Sequence, residues 1–299
     1  MIHLTNVTKA FDRFQAIRGV NMTVQKGRIY GLLGSNGAGK TTLLKMMAGI
    51  IRPDHGTVLI DGEEVWENPE IKQRILFLPD HVYFFPHTTI EQMAAFYESV
   101  YPSFQRERFT RLQELFLLDP RKKIHQFSKG MQRQAAFWLA FSTMPDVLIM
   151  DEPLDGLDAV VRQKVKNIIV QEVAEREMTV VISSHNLREM EDLCDCIGIL
   201  HGGEMLFEKE LDAMKTDIHK IQVAFRNGIP EQFAKQLDIV YKEQRGSVLL
   251  LIVRGAKQEI ISYIQPFQPL IFDILPLTLE EIFIYEMGDV GYAIENIIV

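Results

Sequence analysis

Cysteine is scarce in this 299-residue chain, which carries only Cys194 and Cys196, within Leu-Cys-Asp-Cys-Ile. No second pair completes a thiolate metal site and no set of bridges can form, which excludes a disulfide scaffold or a structural zinc ribbon. They read as thiols of a reducing compartment, one of them buried. Long hydrophobic runs are missing too. No stretch approaches the roughly 18 consecutive apolar residues of a membrane-spanning helix, and the first residues lack a basic-then-apolar secretory pattern. The expectation is a cytosolic chain. An excess of positive charge is also absent: 32 Lys and Arg face 40 Asp and Glu, a formal net charge of −8. That counts against a nucleic-acid footprint, which needs a basic face. What is left is an ordinary globular composition, 47% hydrophobic and 24% charged, long enough for one large or two moderate domains.

The most informative stretch is Gly34-Ser35-Asn36-Gly37-Ala38-Gly39-Lys40-Thr41-Thr42. It follows an apolar strand candidate, Ile29-Tyr30-Gly31-Leu32-Leu33, and opens a helix candidate from Thr42 to Ala48. The G-x-x-x-x-G-K-[ST] pattern thus stands between strand and helix, the context that gives it meaning. The glycines let the chain wrap until successive N–H groups point at a phosphate, and the helix adds the positive end of its dipole. Lys40 would reach the β- and γ-phosphates, and the Thr41 hydroxyl would take one position on Mg²⁺. A plain glycine-rich corner has no use for Lys-Thr after its last glycine. The sequence points to a nucleoside triphosphate site.

Upstream, residues 2–8 alternate as an edge strand would, and Val20-Asn21-Met22-Thr23-Val24 alternates as well. Phe11 and Phe14 lie in the polar stretch between them. Each is either a lid on the local core or a stacking partner for an adenine ring. Downstream, Gly49 is placed to end the phosphate-loop helix, Asp61-Gly62 is a hairpin turn, and Ile75-Leu76-Phe77-Leu78 is a buried parallel strand. From residue 88 to 145 the apolar spacing is helical, opening on a capping box at Thr88 with Glu91 or Thr89 with Gln92 and broken at Asp119-Pro120. This is a helical insert within an α/β domain.

Val147-Leu148-Ile149-Met150 then runs into Asp151-Glu152. Four apolar residues ending in two carboxylates describe a buried strand that delivers acids to its C-terminal edge, where open parallel sheets bind ligands. Asp151 would hold Mg²⁺ through water, and Glu152 is the candidate base for the attacking water. A solvated acidic turn is the bland reading. After a helix beginning near Asp158, Val180-Val181-Ile182-Ser183-Ser184-His185 repeats the pattern, and His185 reads as a γ-phosphate sensor at the same edge. Residues 197–207 form a closing hairpin. From about Thr216 the pattern is βαββαβ, a small ferredoxin-like α+β unit, ending in a helix capped at Thr278 and running through Glu286.

These residues carry a resemblance. Phe127-Ser128-Lys129-Gly130-Met131-Gln132, just upstream of the acidic strand, is similar to the signature loop of ABC transporter ATP-binding subunits, and Leu-Asp-Gly-Leu-Asp at 154–158 accompanies it. The resemblance covers roughly residues 1–215. It implies a P-loop NTPase core of the ABC ATPase type, with an N-terminal antiparallel β subdomain and an inserted helical subdomain, residues 216–299 forming the accessory unit. It also implies that Ser128 and Gly130 act on ATP bound to a second subunit, with Asp158 a further ATP-binding residue, so that two chains, alike or related, close on two ATP molecules. The family pattern is closer to Leu-Ser-Gly-Gly-Gln, and Ser-Lys-Gly-Met resembles subunits of ABC-2-type exporters. This implies a separate transmembrane permease partner and placement at the cytoplasmic face of the membrane. Asp80 is a second departure: the family usually has a metal-touching glutamine after the Leu-Pro strand end, and an acid there can still face a cation. The competing class is a nucleic-acid-associated ABC ATPase of the repair or translation type. It would call for a long coiled-coil insert or two ATPase halves, and the chain has neither.

Overall fold

The computed structural model describes residues 2–282 apart from Asn227 and Glu231. The chain divides into two compact units, Met1–Asn186 with Leu193–Glu208, and Leu187–Asp192 with the chain from Lys209 onward.

In the first unit the leading strands are β1 (Ile2–Phe11) and β2 (Phe14–Val24), joined by a two-residue turn. They are followed by β3 (Ile29–Leu33), α1 (Lys40–Met47), β4 (His55–Ile60), β5 (Glu63–Glu64), α2 (Pro69–Lys72) and β6 (Ile75–Leu78). Strands β1, β2, β4 and β5 make an antiparallel sheet in the order β2-β1-β4-β5. The alternation that suggests an edge strand at the N-terminus therefore belongs to an interior one, paired on both sides. Alternation reports that one face is buried and says nothing about how many edges are paired. Asp61 and Gly62 both have positive φ, as the β4–β5 hairpin turn requires.

The insert supplies α3 (Ile90–Val100), α4 (Arg106–Phe116) and α5 (Lys129–Thr143). Thr89 and Gln92 complete the capping box of α3, and Leu117, in the left-handed region, ends α4 ahead of Asp119-Pro120. Trp138 on α5 is fully buried, stacks on Phe109 with ring centroids 4.7 Å apart, and donates its indole N–H to the Phe109 carbonyl at 2.7 Å. Next come β7 (Val147–Asp151), α6 (Ala159–Arg176), β8 (Thr179–Ser184) and the short α7 (Leu187–Glu191), which falls in the second unit. Buried Glu172 of α6 accepts from Arg108 of α4 and from Arg176, so its charge is compensated twice.

With β9 (Cys196–His201) and β10 (Glu204–Glu210), a second sheet runs in the order β10-β9-β3-β8-β7-β6. Its β6, β7, β8, β3 and β9 pair in parallel. Every residue of β3, β7 and β8 is buried, which is why these strands read as unbroken apolar runs. One continuous core joins the antiparallel sheet, α1 and the parallel strands.

Besides α7, the second unit takes the chain from Lys209, a few residues before the expected division at 215, beginning with α8 (Leu211–Asp217), whose Leu211 and Met214 are buried. It continues with β11 (Ile218–Ala224), β12 (Asp238–Arg245), β13 (Val248–Arg254), α9 (Lys257–Ile264) and β14 (Ile271–Leu275). All neighbours are antiparallel in the order β12-β13-β11-β14, the ferredoxin-like arrangement. Where a helix is expected at 230–237, residues 232–236 form turns, and Phe233 lies in the core between Phe225 and Phe267. The reciprocal bonds between Thr278 and Glu281 form the expected cap. The rest of that helix, through Glu286, lies outside the described residues.

Candidate functional site

The parallel sheet brings the C-terminal edges of β3, β6, β7 and β8 together, and the site is built on them. The loop after β3 wraps as its glycines predict. Gly39 has φ +106, and a Cβ there would lie 2.6 Å from the Ala16 carbonyl, so only glycine fits. Gly34 is equally confined, a Cβ falling 2.3 Å from the Leu200 carbonyl. The loop from Ser35 to Thr42 lines a cavity of about 330 Å³ together with Phe11, Phe14, Asp80, Asp151 and Glu152. Phe11 and Phe14 are both exposed, at opposite ends of the β1–β2 turn, so the lid-on-core reading fails for each of them.

Lys40 is nearly buried. Its ammonium donates to the carbonyls of Gly34 at 2.6 Å and Ser35 at 3.3 Å and lies 3.3 Å from Glu152 Oε1. The Thr41 hydroxyl donates to Asp151 Oδ2 at 2.6 Å, and Ser183 Oγ donates to Asp151 Oδ1 at 2.5 Å. This buried carboxylate with an adjoining hydroxyl is a hard-oxygen set of the kind Mg²⁺ prefers. Asp80 borders the same cavity, but its Oδ1 lies 3.1 Å from Arg133 and its Oδ2 2.7 Å from His81 Nδ1.

Glu152 is held at every backbone and side-chain group but one. Its N–H donates to Ser183 Oγ at 3.0 Å, Arg133 donates to its carbonyl, and its Oε2 lies 3.0 Å from His185 Nδ1 and 3.3 Å from the His185 amide nitrogen. Oε1 is buried and accepts no hydrogen bond, because the approach of Lys40 is off hydrogen-bond alignment. The residue sits at φ +45, a left-handed conformation that costs a non-glycine residue roughly 1–2 kcal/mol. Glu152 and His185 also bring in Asp155: the three offer ligand atoms within 4.8 Å of one another.

Ser128, Gly130 and Asp158 do not line the phosphate cavity. Ser128 caps α5, accepting from the Met131 N–H at 3.2 Å, and Asp158 caps α6, accepting from the Val161 N–H at 2.9 Å. Sequence reasoning missed Arg133, Ser183 and Asp155. Ser183 had a signal, a hydroxyl at the polar end of an apolar strand, and Asp155 lies in the Leu-Asp-Gly-Leu-Asp stretch; Arg133 had none. The thiols stand apart from this site. Burial, and then the charge of Asp195, push the Cys194 thiol far up, so it is no nucleophile at neutral pH.

A family model described as ABC transporter matches residues 17–155. The ABC transporter ATP-binding protein YtrB of Bacillus subtilis (strain 168) is 35% identical over 288 residues, 96% of this chain and 98% of that protein. The bacitracin transport ATP-binding protein BcrA of Bacillus licheniformis is 33% identical over 218 residues, 72% of this chain and 71% of the relative. A solved structure described as the ATP binding subunit of an ABC transporter superposes with a TM-score of 0.67 at 25% identity, covering 72% of this chain and 92% of that one. The chain belongs to the family of ABC transporter ATP-binding proteins.

Proposed function

We propose that this chain is the ATP-hydrolysing subunit of an ABC exporter, closing as a dimer on two ATP molecules to drive a separate transmembrane permease. The observation that carries the hydrolytic part is Glu152: a half-buried carboxylate beside the phosphate loop, fixed at its amide, its carbonyl and Oε2, with Oε1 facing only the Lys40 ammonium at 3.3 Å. The incoming β- and γ-phosphates draw the Lys40 ammonium away from Glu152, which frees the base as the substrate arrives. Glu152 then orients the attacking water and takes its proton, while His185 holds the carboxylate and reaches the γ-phosphate. Thr41 and Asp151 would hold Mg²⁺, which when bound neutralises charge on the phosphates. Stacking on Phe11 or Phe14 would seat the base.

Dimer closure rests on Ser128, Gly130 and Asp158. Ser128 and Gly130 lie at the capped start of α5, outside the chain's own cavity, where a hydroxyl and helix N–H groups suit a phosphate held by a second chain, identical or related, and Asp158 caps α6 beyond that cavity as well. The exporter reading rests on the Ser-Lys-Gly-Met signature and on relatives such as the bacitracin transport protein, which favour a peptide, antimicrobial or amphipathic toxin as cargo. No helix among the described residues is long and apolar enough to cross a membrane. Attachment to the cytoplasmic face would then come through the permease. The half-exposed aromatics Phe85 and Phe96, in edge-to-face contact at 5.0 Å with exposed Tyr83 nearby in sequence, are its candidate socket. The nucleic-acid reading finds no support in a net charge of −8.

The test is Glu152→Gln. Turnover should fall about 10²–10⁴-fold with ATP affinity nearly unchanged, in steady-state hydrolysis and equilibrium binding with a fluorescent ATP analogue. Wild-type turnover in this variant would remove Glu152 from the role of base.

A further inference from the structure

One set of contacts in the first unit is not used by the nucleotide reading. Arg133 lies on α5, five residues past the cap at Ser128, and is 12% exposed at its side chain. It does not line the phosphate cavity, yet its guanidinium reaches two segments that do. One end donates to the backbone carbonyl of Glu152, and the other to the backbone carbonyl of Asp80 and to Asp80 Oδ1 at 3.1 Å. The two acceptor segments follow the ends of β6 and β7, adjacent strands of the parallel sheet. A planar fork with several donors can satisfy acceptors on two chain segments at once, which a point-charge ammonium cannot.

The geometry of Glu152 gives this fork a task. At φ +45 the residue occupies a conformation that side chains other than glycine adopt only when their surroundings over-determine it. Two hydrogen bonds do so, the Glu152 N–H to Ser183 Oγ on one side and Arg133 to the Glu152 carbonyl on the other. The same fork accounts for Asp80. An acid stands where the resemblance leads one to expect a neutral glutamine, and its charge is balanced by the guanidinium beside it.

We propose that Arg133 is a positioning residue for hydrolysis: it locks Glu152 in its left-handed conformation and ties Asp80 and the start of the signature helix to the same point. This rests on reading Glu152 as the base. The bland role for such an arginine is to pin a helix to a sheet, which would affect stability and nucleotide binding alike. The positioning role is narrower, because Arg133 stands outside the cavity that the phosphate loop and Phe11 line.

The experiment uses the purified full-length chain and the variants Arg133→Gln, Arg133→Lys, Asp80→Asn and Glu152→Gln. Three quantities are read: steady-state ATP hydrolysis, equilibrium affinity for a fluorescent ATP analogue without Mg²⁺, and amide hydrogen exchange across residues 147–156. For Arg133→Gln, kcat should fall on the order of 10–10²-fold, the loss expected when a catalytic group is misplaced by about an ångström. Analogue affinity should stay within about twofold, since uniform binding is untouched. Exchange at the Glu152 amide should rise while Leu148 to Met150 in β7 stay protected. Arg133→Lys should show the same loss, because it keeps the charge and loses the fork. Asp80→Asn should lose less, since the carbonyl contacts remain. The proposal is overturned if Arg133→Gln keeps wild-type kcat, if affinity falls in parallel with kcat, if Glu152 exchange is unchanged, or if Arg133→Lys restores full turnover. If Arg133→Gln does not fold, Arg133→Lys carries the same three readouts, and the same results support or overturn the proposal. Glu152→Gln separates the two claims. Full turnover in it removes the base assignment, whereas its loss alongside a normal Arg133→Gln removes only the positioning role.

Discussion

At the scale of single residues, the site divides into what a local pattern announces and what only the fold assembles. Lys40, Thr41 and the glycines are legible because nine consecutive residues encode them, and Gly34 and Gly39 each have a steric reason visible in the loop. Asp151 and Glu152 are legible because a phosphate loop lies upstream; without it, an apolar strand ending in two acids reads equally as a solvated turn. Arg133 is not, because its acceptors lie 19 and 53 residues away in sequence and nothing local marks a guanidinium that will meet them. Phe11 is legible as an aromatic but not as exposed; the structure adds the exposure, and with it a prediction. Stacking on an aromatic is worth roughly 1–3 kcal/mol per base and tolerates any base. Phe11→Ala should therefore weaken ATP and GTP alike, by about 5–150-fold for that range if Phe14 cannot substitute, in competition binding against a fluorescent analogue. A loss confined to ATP would show that the base is read by hydrogen bonds elsewhere.

At the scale of elements, periodicity places most strands and helices, and the exceptions have a common cause: a partner distant in sequence decides them. The N-terminal strand reads as an edge because its alternation sees only the buried face, not the second neighbour supplied by β4. The segment at 230–237 has apolar spacing that fits a helix, but burying Phe233 between two other rings outweighs a short helix whose nucleation is costly. The helical insert is legible as a whole, and its stability concentrates in one side chain. Trp138 is fully buried against Phe109 and Phe116, with its indole N–H bonded. Trp138→Ala should cost about 3–5 kcal/mol in chemical denaturation, while Trp138→Phe, which keeps most of the ring volume and loses the hydrogen bond, should cost distinctly less. Equal costs would mean that the lost hydrogen bond, and not the stacked ring, sets how firmly the insert is held.

At the scale of the whole molecule, the proposed function has two partners, and each can be tested separately. The exposed aromatics after Asp80 should serve the permease and not the chemistry. Phe85→Ala should therefore leave hydrolysis by the isolated chain within about twofold while weakening co-purification with the membrane subunit, since truncating an interface hot spot typically costs about 2 kcal/mol or more. Equal losses in both would assign the loop to the fold of the insert. The central claim concerns the other partner: we propose that one chain supplies the phosphate cavity, the metal-holding Thr41 and Asp151 and the base, and that Ser128 and Gly130, which stand outside that cavity, complete the site of a second chain. The most direct measurement is the solution mass of the Glu152→Gln variant by size-exclusion chromatography with light scattering, where slow hydrolysis traps the ATP state. With ATP and Mg²⁺ the mass should double from the 34.4 kDa of one chain, with ADP it should not, and Ser128→Arg should abolish the doubling while ATP still binds. A variant that binds ATP tightly, hydrolyses it slowly and remains at the mass of a single chain would contradict the account.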